Sequence, residues 1–397
     1  MNIMVLEPQA NESRGEDVVR RCLVRRMNDD MLVSQEELWF QFPLSITPPE
    51  STDCDSYLLA MVMDAMREGR KLVIKGTVSQ ALLSNLTEFQ GAWHKWLPNL
   101  YSQIEIEVEV ARTGEVPLQG AVCAFSGGVD GTFTVWRHSQ KRVGYRSQSI
   151  KFCVLVHGFD IPLEDTKAFE NAYLRANATL ADVNLQALPV RTNFKKISRI
   201  SWEHSFVAAL VAALSNCKLV VGTGLVGSGE PYDHLVVPWG STPITDHLLS
   251  SGSFEVMHDG ATHSRTEKVN EIVEWHKGID NLRVCWEGDL KDRNCGVCEK
   301  CLRTKLNFLA TGNLVPKCFV DFNEKVVLSS NMTLNGSAAI AQWKQLIKHA
   351  KNKNIEDEWL KQAQWILRKN LTRNKVRWIW NRLKTLARRM KSRVSCS

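Results

Sequence analysis

The sequence predicts an α/β protein built on a doubly wound parallel sheet, preceded by an α+β region. Three observations carry this. From residue 121 onward, short apolar runs alternate with helix-length amphipathic stretches, the pattern of strands joined by helical crossovers. A two-glycine turn separates the first such run from the first such helix. Four cysteines then close the alternating segment at metal-ligand spacing.

The organisation expected is 1–118 as the α+β region, 119–315 as the alternating domain, 316–367 as a helical extension and 368–397 as a basic tail. Strands are predicted at 22–26 and 31–42, where L-W-F-Q-F alternates, at 71–75 and at 104–110. Helices are predicted at 56–67, ended by Gly69, and at 79–97, with Leu82, Leu83, Leu86, Phe89 and Trp93 on one face. In the alternating domain, strands are expected at 121–125, 151–157, 188–190 and 218–222. Helices are expected at 132–137, 166–176, 202–214, 268–276 and 301–310.

The composition is 44% hydrophobic, which supports a sizeable core and excludes a disordered chain. No apolar run approaches a membrane span, and no cationic, apolar leader opens the chain, so the cytoplasm is the expected compartment. Net charge is +7, but 368–397 holds eleven Lys or Arg and no acid, so the rest of the chain is net acidic. In that tail Val376, Ile379, Leu383, Leu386 and Met390 form an apolar seam on a basic helix. Such a helix contacts anionic lipid, nucleic acid or a partner protein, a second copy of the chain included, or covers its own parent domain.

Ser126-Gly127-Gly128-Val129-Asp130 follows the 121–125 run directly. Two glycines turn the chain sharply and bare backbone amides, and a helix N-terminus behind them favours an anion. Ser126 adds a hydroxyl donor; Asp130 caps the helix or holds Mg²⁺. No Gly-Lys-Ser/Thr follows, which excludes the P-loop of kinases and GTPases.

Eleven cysteines, an odd number, argue against a secreted disulfide framework. Four fall within seventeen residues, Cys285, Cys295, Cys298 and Cys301, as C-x9-C-G-x-C-x2-C. Short spacings let one turn present several thiolates to tetrahedral Zn²⁺, with an iron–sulfur cluster as the competing occupant. Lys300, Arg303 and Lys305 stand ready to offset the thiolate charge.

The glycine turn resembles the SGGxDS fingerprint of the PP-loop superfamily of ATP pyrophosphatases, with Gly131 in place of the usual serine and Thr132 next to it. Together with a glycine-ended strand and the cysteine knuckle, it is similar to the 7-cyano-7-deazaguanine synthase family over about residues 121–312. The resemblance implies an adenine nucleotide alpha hydrolase-like fold that takes ATP and Mg²⁺, with structural Zn²⁺ on the four cysteines. It places Ser126, Gly127, Gly128 and Asp130 at the phosphates, with Val129 inside the loop and Thr132 as the source of the replacing hydroxyl; Asp160, after the 151–157 run, either touches the ribose or starts a turn. Gly222 and Gly224 fall at the strand end near the nucleotide, and Asp130, Arg265 and Lys268 are the catalytic candidates. The family's deazapurine-binding segment is absent, and residues 230–249 stand in its place. The implied reaction is therefore adenylation of a different small-molecule carboxylate or amide oxygen, with release of pyrophosphate and transfer of nitrogen. RNA modification and non-catalytic nucleotide binding are the alternatives. Further polar candidates are Glu203, His204, Glu230, Asp233, His234, Trp239, Ser241, Thr242, Asp246, His247, His258, Asp259 and His263.

Overall fold

The structure, a computed structural model, describes residues 2–285, 287–319 and 332–375. The seam of the basic tail, from Val376 on, lies outside the described residues. Ten strands form one mostly parallel sheet.

The first half opens with an antiparallel meander, β1 (Asn2–Arg14), β2 (Asp17–Asn28) and β3 (Met31–Pro43). In β3, Leu38, Phe40 and Phe42 are buried while Trp39 and Gln41 are only half-covered, as the alternation requires. Each such buried side chain contributes about 1.5–3 kcal/mol. Helix α1 (Asp55–Glu68) is buried nearly all round and ends on Gly69 in the left-handed region at φ 62°. After it come β4 (Lys71–Ser79), α2 (Gln80–Trp96) and β5 (Ile106–Arg112), with β4 parallel to both β1 and β5.

The second half runs β6 (Ala121–Ala124), α3 (Val129–Ser139), β7 (Ile150–His157), α4 (Thr166–Leu180), β8 (Ala187–Thr192), α5 (Phe194–Ile197), α6 (Trp202–Leu214), β9 (Thr223–Gly227), β10 (Glu255–Asp259), α7 (Arg265–Ile272), α8 (His276–Asp280) and α9 (Glu299–Ala310). Helix α10 (Gly336–Asn352) and a helix over 358–375 pack on α9 through Leu302, Leu306, Trp343, Trp359 and Ile366. Successive residues of β6 and β7 face opposite layers: Val122, Phe152 and Val154 meet α6, whereas Cys123, Cys153 and Leu155 meet α4. Both faces of this half are therefore covered, which is why its strands read as continuous apolar runs.

The sheet order is β10-β9-β6-β7-β8-β3-β2-β1-β4-β5, the halves joining where Phe40 and Gln41 pair antiparallel with Thr192 and Arg191. Two expectations need correction. The strand foreseen at 218–222 lies one step later, at Thr223–Gly227, because 215–220 is a turn tethered by the buried side chains of Asn216 and Lys218. The helix foreseen at 268–276 starts at Arg265 behind a capping box of Ser264 and Glu267 and ends at Ile272. Strands β1 and β10 were not foreseen. No described helix is long and apolar enough to cross a membrane.

Candidate functional site

Strand order reverses between β6 and β9, so the crevice at their carboxyl ends is where an open α/β sheet receives ligands. Their pairing stops at Cys123 and Leu225, and beyond it a cavity of about 830 Å³ opens. It is lined from β6 by Phe125 and Ser126, from α3 by Asp130 and Gly131, and from the β7 end by Phe159 and Asp160. Trp202, Phe206, Glu230, Trp239, Arg265, Arg283, Lys300 and Arg303 are among the other residues of the wall.

The glycine turn is open: Ser126 is exposed, Gly127 and Gly128 half-buried. Gly127 needs its lack of a side chain, having φ 78°. Arg283 grips the turn from behind, its amide donating to Gly127 O at 2.8 Å and its Nε to Ser126 O at 3.2 Å. With the carbonyls tied there, the amides of the first turn of α3, which have no partner within the helix, are left for an anion. The N-cap is Gly128 rather than Asp130. Gly131 packs tightly, since a Cβ there would come within 3.1 Å of Ala124 O.

Asp130 accepts from Arg265 Nη1 at 2.9 Å and Lys268 Nζ at 3.3 Å. Burial pushes its carboxyl up, but the two cations outweigh burial and hold it below the ordinary range. Burial lowers the pKa of both cations despite Asp130. Arg265 lines the cavity; Lys268 is fully buried, also donates to Ser228 O, and does not line it. Asp160 lies on the wall 3.9 Å from Arg283 Nη2.

Not every expected residue reaches this place. Val129 and Thr132 are buried and outside the lining; Gly127 and Gly128, half-buried, do not line it either, and Gly128 N donates to Ser126 Oγ at 3.4 Å. Gly222 and Gly224 lie at the amino end of β9, against Leu118 and Phe254, away from the cavity. Gly227 and Gly229 hold the carboxyl end instead, Gly227 so close to α3 that a Cβ would fall 2.9 Å from Asp130 C. Asp246 is a loop anchor, accepting from Ser241 Oγ, Thr242 N and His258 Nδ1 at 2.6, 2.8 and 2.7 Å. His204 meets Tyr101 Oη at 2.8 Å, and Asp259 meets His138 Nε2 at 3.2 Å; neither lines the cavity.

Sequence reasoning missed three contributors. Arg283 gave no signal because its role is made by backbone contacts. Phe159, Trp202 and Phe206 read as core aromatics, yet with Trp239 they line the cavity, the Phe206 and Trp239 rings 6.0 Å apart. The start of α10 also lines it, through Asn335, Ala338, Ala339 and Gln342, and Gln342 Nε2 donates to Gly229 O at 3.3 Å.

The four cysteines come together, their sulfurs all within 4.8 Å of one another. Tetrahedral zinc at about 2.3 Å from each sulfur separates them by about 3.8 Å; Cys285–Cys298 and Cys295–Cys301 stand at 3.6 and 3.9 Å. The amides of Gly288, Cys298 and Cys301 donate to the sulfurs of Cys285, Cys295 and Cys298 at 3.5, 3.3 and 3.5 Å, supporting thiolate charge. Gly296 turns at φ 78°, and its carbonyl accepts from Lys305 Nζ at 3.0 Å. The cluster can hold a metal such as zinc, with four protein ligands and no open position.

The knuckle is a wall of the cavity: Cys298, Glu299, Lys300 and Arg303 line it. Arg303 pairs with Glu299 at 2.7 Å, and Trp343 Nε1 donates to the same carboxylate at 2.7 Å. Burial, then the charge of Arg265, push Lys300 down to about 7. The chemistry on offer is an anion cradle with cations on one side and aromatic rings with carboxylates on the other. Compared with models of known families, with curated proteins and with solved structures, the chain matches none.

Proposed function

We propose that this protein is an ATP pyrophosphatase-type ligase. It adenylates a small-molecule carboxylate or amide oxygen, releases pyrophosphate and hands the activated carbon to a nitrogen nucleophile. The single observation behind the reading is the Ser126-Gly127-Gly128 turn, whose exposed Ser126 lines a cavity at the strand-order reversal and which is backed by the N-terminus of α3. The likeness of that turn to the PP-loop fingerprint, and of the cysteine knuckle to that of the 7-cyano-7-deazaguanine synthase family, supports the same reading.

In this reading the triphosphate of ATP, a substrate, lies on the amides of the turn and the Ser126 hydroxyl. Arg265, on the wall, spreads charge that develops on the leaving pyrophosphate. Lys268, behind Asp130, fixes that carboxylate and through it Arg265. Asp130 has its oxygens engaged by these two cations, so Mg²⁺ belongs to the nucleotide rather than to this residue. Cys285, Cys295, Cys298 and Cys301 would hold zinc through four thiolates, and the ion would then serve structure in the wall that carries Lys300 and Arg303.

Sulfur transfer to RNA is the weaker reading. It needs a reactive thiol, whereas Cys123 and Cys217 are buried and burial pushes the Cys217 thiol up to about 12. Among the described cysteines outside the knuckle, none lines the cavity. The test is nucleotide turnover with a panel of carboxylic acids and ammonium. Acid-dependent release of AMP and pyrophosphate is expected. ADP and phosphate alone, or tight ATP binding with no turnover on any acid, rejects adenylation.

A further inference from the structure

We propose that Glu230 is the residue that receives the nitrogen nucleophile, binding it as an amine and taking its proton as it attacks the activated carbon. The inference rests on the adenylation reading and names its second subsite. Glu230 stands on the cavity wall immediately after the Gly227–Gly229 segment, whose first glycine is pressed against the backbone of Asp130. Its own backbone is pinned, with Ser228 Oγ donating to Glu230 O at 2.6 Å and Ser228 N to Asp259 O at 2.7 Å. The side chain is 5% exposed, and one carboxyl oxygen, Oε2, accepts from Val236 N at 3.1 Å.

Of the other acids that line the cavity, Asp130 is engaged by Arg265 and Lys268, Asp160 by Arg283 and Glu299 by Arg303, while Glu203 and Glu287 are exposed to solvent. Glu230, buried, makes no ion pair among the described residues. A buried carboxyl without a counter-cation is costly to maintain in its charged form, and a cationic or proton-bearing ligand relieves that cost. The groups facing it are Asp130, whose charge repels its own, and His258 and Lys268, whose charges act the other way. Burial, the largest influence, sets its pKa at about 7, so it exchanges a proton near neutrality. The lining beside it supplies Trp239, Phe206 and Trp202, whose ring faces favour an ammonium over an anion. The cavity therefore has an anion end and an amine end.

The step balances. The amine lone pair forms the C–N bond to the acyl carbon, and the C–O bond to AMP breaks with its electron pair leaving on the phosphate oxygen. One N–H proton passes to the Glu230 carboxylate and then to solvent. Ammonia or a primary amine is the class of donor.

The experiment uses the full chain with ATP, MgCl₂ and the acid panel, with ammonium chloride or methylamine as the amine, comparing wild-type with E230Q. The first-turnover burst of acid-dependent pyrophosphate should stay within about twofold, leaving the acyl-adenylate on the protein, while amide formation falls about 100-fold or more. The wild-type amide rate should climb with pH through about 7, a limb absent from E230Q. Unchanged amide formation in E230Q, or a retained limb, overturns the role of Glu230 and leaves adenylation standing. Loss of the first-turnover pyrophosphate burst along with amide overturns it too, by making Glu230 a general support of the site. If wild-type shows no acid-dependent pyrophosphate release, adenylation itself fails. Placement is then decided by coupling methylamine to the protein with a carbodiimide and mapping the adduct by mass. An adduct at Glu230 suppressed by ATP is expected; none there, or one that ATP leaves unchanged, rejects the subsite.

Discussion

The two halves of the sheet share a strand order and differ in what occupies its reversal point. In each, the first strand lies between the second and the fourth: β3-β2-β1-β4-β5 in one half and β8-β7-β6-β9-β10 in the other. Between β6 and β9 the chain turns away on glycines and a cavity remains. Between β1 and β4, residues 52–54 run alongside β4 instead, with Cys54 N donating to Thr77 O and Thr77 N to Thr52 O, each at 2.8 Å. Asp53 and Asp55 from that segment meet Lys218 and Arg112, and Arg20 donates to the backbone of Glu50 and Asp53. The same strand order thus accompanies a plugged crevice of paired charge in one half, where β1, β2 and β3 run antiparallel, and an open one in the other, where the strands are parallel. Strand order offers the place, and what the chain lays across it, residues 52–54 ahead of α1 in one half and the glycine turn after β6 in the other, decides whether it stays open.

The largest effect expected from testing this contrast comes from the metal. Stripping the four-cysteine cluster by chelation, or Cys295→Ser, should remove on the order of 10 kcal/mol of local folding energy. The knuckle, the Arg283 clamp two residues before Cys285 and ATP binding should fail together. Zinc content, near-ultraviolet circular dichroism and nucleotide binding measure it; ATP binding that survives full chelation would separate the knuckle from the cavity. Next comes the plug: Lys218→Met leaves Asp53 and Asp55 buried with less compensation and should cost about 3–5 kcal/mol in urea unfolding. ATP affinity in the folded fraction should not change.

A pair of glycine substitutions sharpens the comparison further. Gly127→Ala forces a side chain onto φ 78°, costing about 1–2 kcal/mol, and should lose nucleotide binding disproportionately. Gly76→Ala puts a Cβ 2.6 Å from Thr52 O in the plugged crevice and should cost about 1–3 kcal/mol with binding intact. Equal loss of binding in both would erase the distinction between the halves. The smallest effect is electrostatic. Burial raises Asp64 to about 6, so the folded state holds a proton there that the unfolded chain gives up near its ordinary value of 3.8. Its contribution is present below that unfolded value and declines as pH rises towards about 6. The urea midpoint of wild-type relative to Asp64→Asn should fall across that window and then level off; a relative midpoint that rises there contradicts the assignment.

Much of this was legible because it is local. Helix α1 announces itself through S-Y-L-L-A-M-V-M and its closing glycine, and the glycine turn and the cysteines carry their chemistry in short spacings. What stayed hidden is non-local. Strand β1 ends in Q-A-N-E-S-R, polar residues that alternate too weakly to signal a strand and are held by pairing with β2. The run at 219–222 looks more strand-like than the true β9, yet buried contacts from Asn216 to Arg20 and Lys218 to Asp55 hold the preceding residues in a turn. The cavity wall from α10 arrives from over a hundred residues away in sequence.

Asp64 has a reach beyond its own titration. From the middle of α1 it takes Arg199 N at 2.6 Å and Ser198 Oγ at 2.8 Å, fastening the strand-like lead into α6 just before Trp202. Helix α6 then carries Trp202 and Phe206 to the cavity. The opening hundred residues are in this way the mount on which the aromatic side of the pocket is aligned, and remote substitutions in α1 should shift the rings that line it.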